Sequence, residues 1–147
     1  MKPPKQVFVT YIKTTPEKLW EAITRSEFTQ QYFYGTAIES DWSPGANLVY
    51  RMPDQSLAAD GKILELERGK KLSLTFRPLW NPEFGKEAAG RVTWEIEPQG
   101  AVCKLTVVHD NFPPESKVYD DVAQGWPFIL SGLKTLLETG APLPAAG

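Results

Sequence analysis

The residue with the widest chemical reach in this 147-residue chain is its single histidine, His109. It stands near the end of Val102–Asp110, where alternation puts Cys103, Leu105, Val107 and His109 on one face of a strand. A neutral imidazole among such neighbours can orient a ligand carbonyl or phenol, or act as a general base near neutral pH. It can equally be a core histidine bonded to the backbone or to a neighbour such as Tyr50. No residue beside it offers a nucleophile. Glu65 is the second acid–base candidate. In its strand Ile63 shares a face with Glu65, whereas Leu64 pairs with Leu66. An inward Glu65 would be functional and an outward one merely solvated.

Other chemistries find no support. Asp41, Asp54, Asp60, Asp110, Asp120 and Asp121 show no metal-ligand spacing, and one histidine without a cysteine cluster argues against zinc. No metal site, cofactor or catalytic residue is expected. The chain carries no dinucleotide-binding Gly-x-Gly-x-x-Gly, no P-loop and no Gly-x-Ser-x-Gly elbow. Cys103 is alone, so it cannot form an intramolecular disulfide, and a buried thiol suits a reducing compartment. Sixteen basic and 18 acidic residues are spread evenly, which gives no footprint for nucleic acid. The first residues have no apolar run behind them and no stretch approaches a membrane span, so a cytoplasmic protein is expected.

The positive signal is aromatic. Tryptophan, tyrosine and phenylalanine make up 12% of the chain, with five tryptophans. Large rigid apolar groups line ligand cavities as readily as they fill cores. Strand parity turns Trp94 inward with Val92 and Ile96, and a helical stripe brings Trp126 and Leu130 against it. Phe33, Tyr50, Ile63, Phe76, Trp94, His109, Trp126 and Leu130 form the candidate ligand-binding set, with Trp94, His109, Trp126 and Leu130 expected to line one internal space. Trp20 pins the first helix, while Trp42 and Trp80 flank turns at the rim. A planar, mostly apolar molecule with one or two hydrogen-bonding substituents would suit such a cavity.

The elements that must position these side chains are legible in order. Gln6–Lys13 alternates β-branched and aromatic residues with polar ones, which predicts a strand. Thr15 then offers an N-cap, Pro16 suits the first helical position and Glu17 favours the positive helix end. Ser26 starts a second short helix that Gly35 ends. From Thr36 the pattern is β: Thr36–Asp41, Ala46–Met52, Ala58–Glu67, Lys71–Pro78, Gly90–Glu97 and Val102–Asp110. Turns at Trp42-Ser43-Pro44-Gly45, Arg68-Gly69-Lys70 and Pro98-Gln99-Gly100 separate the hairpins. Asp120-Asp121 are expected to open the last helix. Pro127 should kink or restart it near Gly125, leaving Pro127–Thr139 regular and a candidate ligand entrance at the break. A coil tail is expected over 140–147, beyond a core of about 7–139.

Three stretches carry a family resemblance. These are Thr15-Pro16-Glu17-Lys18-Leu19-Trp20-Glu21-Ala22-Ile23-Thr24 with Glu27-Phe28-Thr29-Gln30-Gln31-Tyr32-Phe33, then Leu105–Asp110, then Gly125-Trp126-Pro127 with Leu130, Leu133 and Leu136. From about Val7 to Leu143 the chain resembles proteins related to the C-terminal domain of the Hsp90 ATPase activator Aha1, in the START/Bet v 1-like (SRPBCC) superfamily. That resemblance implies an α+β helix-grip fold over one domain, 1–147: a curved antiparallel sheet wrapped around a long C-terminal helix, with two short helices after the first strand. It also implies a spectrum of functions. Members bind lipids, hormones, polyketides and flavonoids, act as cyclases, or regulate a chaperone. The residues favour a binder of a small aromatic, polyketide or lipid-like molecule without chemistry. The alternatives are a protein-interaction module of the Hsp90-activator type, with a chaperone partner or a homodimer, and a cyclase or aromatase using His109 or Glu65.

Overall fold

Turn residues set the strand lengths, and the strands set the frame. The computed structural model describes residues 4–144. Its order is β1 (Lys5–Ile12), α1 (Pro16–Thr24), α2 (Ser26–Tyr32), β2 (Ala37–Ser40), β3 (Asn47–Arg51), β4 (Leu57–Glu67), β5 (Lys71–Pro78), β6 (Gly90–Gln99), β7 (Val102–Asp110) and α3 (Lys117–Thr139). Gly45, Gly69 and Gly100 occupy the left-handed region at the hairpin turns, where a Cβ would be strained. The seven strands form one sheet in the order β1-β7-β6-β5-β4-β3-β2, and all neighbouring pairs are antiparallel. β1 and β2 are thus opposite edges, and α1 with α2 carries the chain between them. This is the helix-grip α+β architecture.

α1 begins where its cap dictates, whereas α2 follows Arg25 without a side-chain cap. Thr15 accepts from the Lys18 N–H at 3.2 Å, and α1 buries Leu19, Trp20, Ala22 and Ile23. Gly132 lets α3 approach α2, because a Cβ there would come within 3.3 Å of the Tyr32 Cβ.

α3 departs from the sequence expectation in two ways. It starts at Lys117, before the aspartate pair, because Ser116 caps the Tyr119 N–H at 3.2 Å. Glu87, from the loop before β6, completes the cap by accepting from Ser116 Oγ at 2.6 Å and from the Lys117 N–H at 2.7 Å. A carboxylate at the positive helix end is stabilising there. Nor does the helix restart at Gly125–Pro127: all 23 residues form one helix with Pro127 inside. Pro127 is exposed, so its ring sits on the solvent face of the helix rather than in the core.

β4 resolves the ambiguity at Glu65. Ile63 lies opposite Leu74 but Glu65 lies opposite Ser73, so Leu64 is an extra residue, a β-bulge. The bulge inverts parity: Ile63 is buried, whereas Leu64 and Glu65 both face out. Glu65 pairs with Lys71 at 3.2 Å on the solvent side. A second irregularity lies on the other edge of β4, where Tyr50 opposes Ala59 and Arg51 opposes Leu57. Ala58 is the extra residue, and both Ala58 and Ala59 turn inward. Between the two, Gly61 passes so close to β5 that a Cβ would fall 1.7 Å from the Thr75 carbonyl oxygen. These three features set the path of β4 where the cavity described below lies.

Candidate functional site

A cavity of about 600 Å³ opens between the N-terminal half of α3 and the β3–β5 side of the sheet. Four rings of the sequence-derived set form its wall. Phe33 and Tyr50 stack with centroids 4.3 Å apart and planes 13° from parallel. Phe76 meets Tyr50 edge-on at 6.1 Å, and Trp126 meets Phe33 edge-on at 5.9 Å. Edge-to-face and offset contacts of this kind hold rings in fixed orientations. Ala58 and Ala59 lie beside Tyr50 on the sheet wall, and Thr36, Met52, Val122 and Ile129 complete the interior.

The other four members lie elsewhere. Ile63, Trp94, His109 and Leu130 are all buried, at 5% exposure or less, but none lines the cavity. Trp94, His109, Trp126 and Leu130 therefore share a packed interior rather than one open space, and only Trp126 touches both. Trp94 meets Trp126 edge-on at 5.5 Å, and its indole N–H is buried without a hydrogen-bond partner among the described residues.

His109 is a support for the cavity wall. The Trp126 indole N–H donates to His109 Nδ1 at 3.1 Å. Nδ1 must therefore be unprotonated, which assigns the neutral ring's proton to Nε2. Burial pushes its pKa down to about 4, against a smaller opposing effect of the Asp110 carboxylate. Phe112 stacks on the ring at 4.5 Å. On the far side a void of about 10 Å³ lies among His109, Glu87, Gly90 and Phe112, room for about one water. Trp126 stands between His109 and the large cavity, so the imidazole is not placed to exchange protons with an occupant.

Polar groups inside are few. The Thr36 hydroxyl is committed to the Phe33 carbonyl at 2.7 Å. The Tyr50 hydroxyl has no hydrogen-bond partner among the described residues, and Tyr50 lines the cavity. Burial raises its phenol well above the ordinary range, so it stays a donor. Tyr32, by contrast, donates to the Ala22 carbonyl at 2.8 Å. Sequence reasoning placed Trp80 at the rim and an entrance near Gly125 but missed Tyr34, Asp121 and Gln124 at the mouth. Tyr34, Trp80, Asp121 and Gln124 are the exposed residues of the lining, with Phe128 stacked on Tyr34 at 5.5 Å. Gly125 passes Tyr34 with room for no more than a methyl group in ordinary contact. For Asp121 the available signal was its helical spacing from Gly125 and Phe128. Among the described residues no three or more His, Cys, Asp or Glu side chains are grouped to hold a metal ion. Cys103 is buried, its thiol pKa raised by desolvation and then by Glu17.

A curved antiparallel sheet gripping a long helix over an aromatic-walled cavity defines a helix-grip protein. Residues 13–138 match the family described as Activator of Hsp90 ATPase homolog 1-like protein, and the chain belongs to it. No curated protein matches the sequence. Among solved structures, the protein MLL2253 from Mesorhizobium loti is similar at 24% identity and TM-score 0.77, over 91% of this chain and 96% of that one. An Hsp90 activator from Plasmodium falciparum is similar at 19% identity and TM-score 0.75, over 95% and 99%. DynU16, a protein in the dynemicin biosynthetic locus, aligns at 20% identity and TM-score 0.79 over 96% of this chain but 49% of its own length. At these identities the likeness bears on the fold. No helix among the described residues is long and apolar enough to cross a membrane.

Proposed function

We propose that this protein reversibly binds a small hydrophobic molecule in the cavity under α3 and performs no chemistry on it. The observation that carries the reading is an open space of about 600 Å³ whose wall is mostly aromatic and aliphatic. Its size falls within the range of small-molecule pockets. His109 and Glu65, the two acid–base candidates, both lie outside it. The proposed setting is the cytoplasm, in keeping with the lone buried thiol.

The test is a titration with aromatic and lipid-like molecules followed by tryptophan fluorescence, since Trp126 lies in the wall. Saturable quenching with a rise in melting temperature supports the reading. Ala59→Phe, which fills the space from the sheet side, should abolish both while the fold survives. Leu130 is unsuited to that purpose because it lies outside the cavity. No saturable binding by any of them would favour the second reading, a protein-interaction module. That reading has its own observation: Val7, Val9 and Tyr11 are each about half exposed along the outer face of edge strand β1. Family membership and the likeness to an Hsp90 activator support the same alternative.

A further inference from the structure

The electrostatics of the cavity narrow the class of its occupant, an inference that rests on the binding function proposed above. None of the residues lining the cavity is Lys, Arg or His. A buried carboxylate or phosphate would therefore lose its hydration and gain no cation in return, a cost that ordinary burial of apolar surface does not cover. The charge that is present has the opposite sign. Asp121 lines the mouth, with no ion pair among the described residues. Tyr34 beside it has its phenol raised, first by burial and then by that carboxylate, so the negative charge reaches the entrance. The inner wall offers one uncommitted polar group, the Tyr50 hydroxyl. Its donor is unspent, whereas the Thr36 hydroxyl already serves the Phe33 carbonyl. The stacked Phe33–Tyr50 pair and the edge of Phe76 leave ring faces and edges for a flat partner.

We infer that the cavity selects uncharged aromatic molecules bearing a carbonyl or ether oxygen that accepts from Tyr50, and rejects carboxylic acids of the same shape. Fatty acids and aromatic acids are thereby disfavoured as occupants. A molecule whose inner end is a ketone and whose outer end is neutral or an amine meets both ends of the site. An amine would lie near Asp121 and the mouth rings, where cations are favoured.

Three molecules of one frame separate these possibilities: anthracene, acetylanthracene and anthroate, titrated at neutral pH into the full chain and into Tyr50→Phe and Asp121→Asn. The ketone should bind the wild type roughly fivefold more tightly than the hydrocarbon, the effect of one net hydrogen bond. In Tyr50→Phe that ratio should fall to about one. Anthroate should bind at least about tenfold more weakly than the ketone, and Asp121→Asn should narrow that gap. Anthroate binding as tightly as the ketone, or a ketone preference that survives Tyr50→Phe, would overturn the class while leaving hydrophobic binding standing, because anthracene itself would still bind. Failure of all three to bind the wild type would overturn the underlying function and this inference with it.

Discussion

The two halves of the space under α3 are built from the same materials and reach opposite ends. Beneath its C-terminal half, Leu130, Leu133 and Leu136 are buried, and β7 and β6 present Leu105, Val107, Trp94 and Ile96 in unbroken alternation. Beneath its N-terminal half the helix still offers Val122 and Trp126, yet a cavity of about 600 Å³ remains. The difference lies in β4. Its bulge at Ala58 brings two of the smallest side chains inward in succession, and Gly61 holds the strand hard against β5. Packing to crystal-like density is the default of a protein interior. A fold can suspend it locally by combining small residues with a break in strand parity.

That contrast can be broken first by truncation. Leu133→Ala, in the closed half, should destabilise by about 3 kcal/mol, because it removes buried methyl groups and leaves a new void. Val122→Ala, on the cavity wall, should cost only about 1 kcal/mol, since the space beside it is already open and no new void is sealed. Urea unfolding of the two variants reads the difference. Equal losses would mean that the cavity collapses in solution.

The seam between the halves is the Trp126–His109 bond, and pH tests it. With its pKa pushed down to about 4 from an ordinary 6.5, the folded imidazole refuses a proton that the unfolded chain accepts. Its contribution to stability is therefore whole above about pH 6.5, falls as the pH drops toward 4, and amounts to on the order of 3 kcal/mol. His109→Gln keeps an acceptor for the indole without a titrating group. The stability difference between wild type and this variant should shrink or reverse between pH 7 and pH 4.5. A constant difference would mean that His109 is not buried as a neutral base.

The smallest expected effect separates two tyrosines. Tyr32 donates to the Ala22 carbonyl, so Tyr32→Phe should cost about 1 kcal/mol. Tyr50 gives its hydroxyl to no described residue, so Tyr50→Phe should leave stability within about 0.5 kcal/mol or raise it. A loss in Tyr50→Phe as large as that in Tyr32→Phe would show a committed hydroxyl.

Most of the frame was legible because its signals are local. Thr15-Pro16-Glu17 caps its own helix, and Pro44-Gly45 and Gly69 turn their own hairpins. Parity also turned Trp94 and His109 inward correctly, since β6 and β7 pair without a shift. The misreadings were mostly of features that depend on distant partners. The start of α3 is capped by Ser116, a local signal passed over for the aspartate pair, and the cap is completed by Glu87, thirty residues before the helix, which no local pattern could reveal. The bulges at Ala58 and Leu64 exist only as a count of residues across from β3 and β5. The first turns Ala58 and Ala59 together into the cavity, which parity could not show, and the second turns Glu65 away from the interior. The rings Phe33, Tyr50, Phe76 and Trp126 were thus legible in the sequence, while the small side chains that leave room among them were not.

The most direct test of the open half is a thermal-shift titration of wild type and Ala59→Phe with a neutral aromatic ketone. The wild type should gain about 2.7 kcal/mol at a hundredfold excess over its dissociation constant, with saturable quenching of tryptophan fluorescence, and the filled variant should gain nothing. Equal shifts in both proteins, or none in either, would contradict a functional cavity beneath α3.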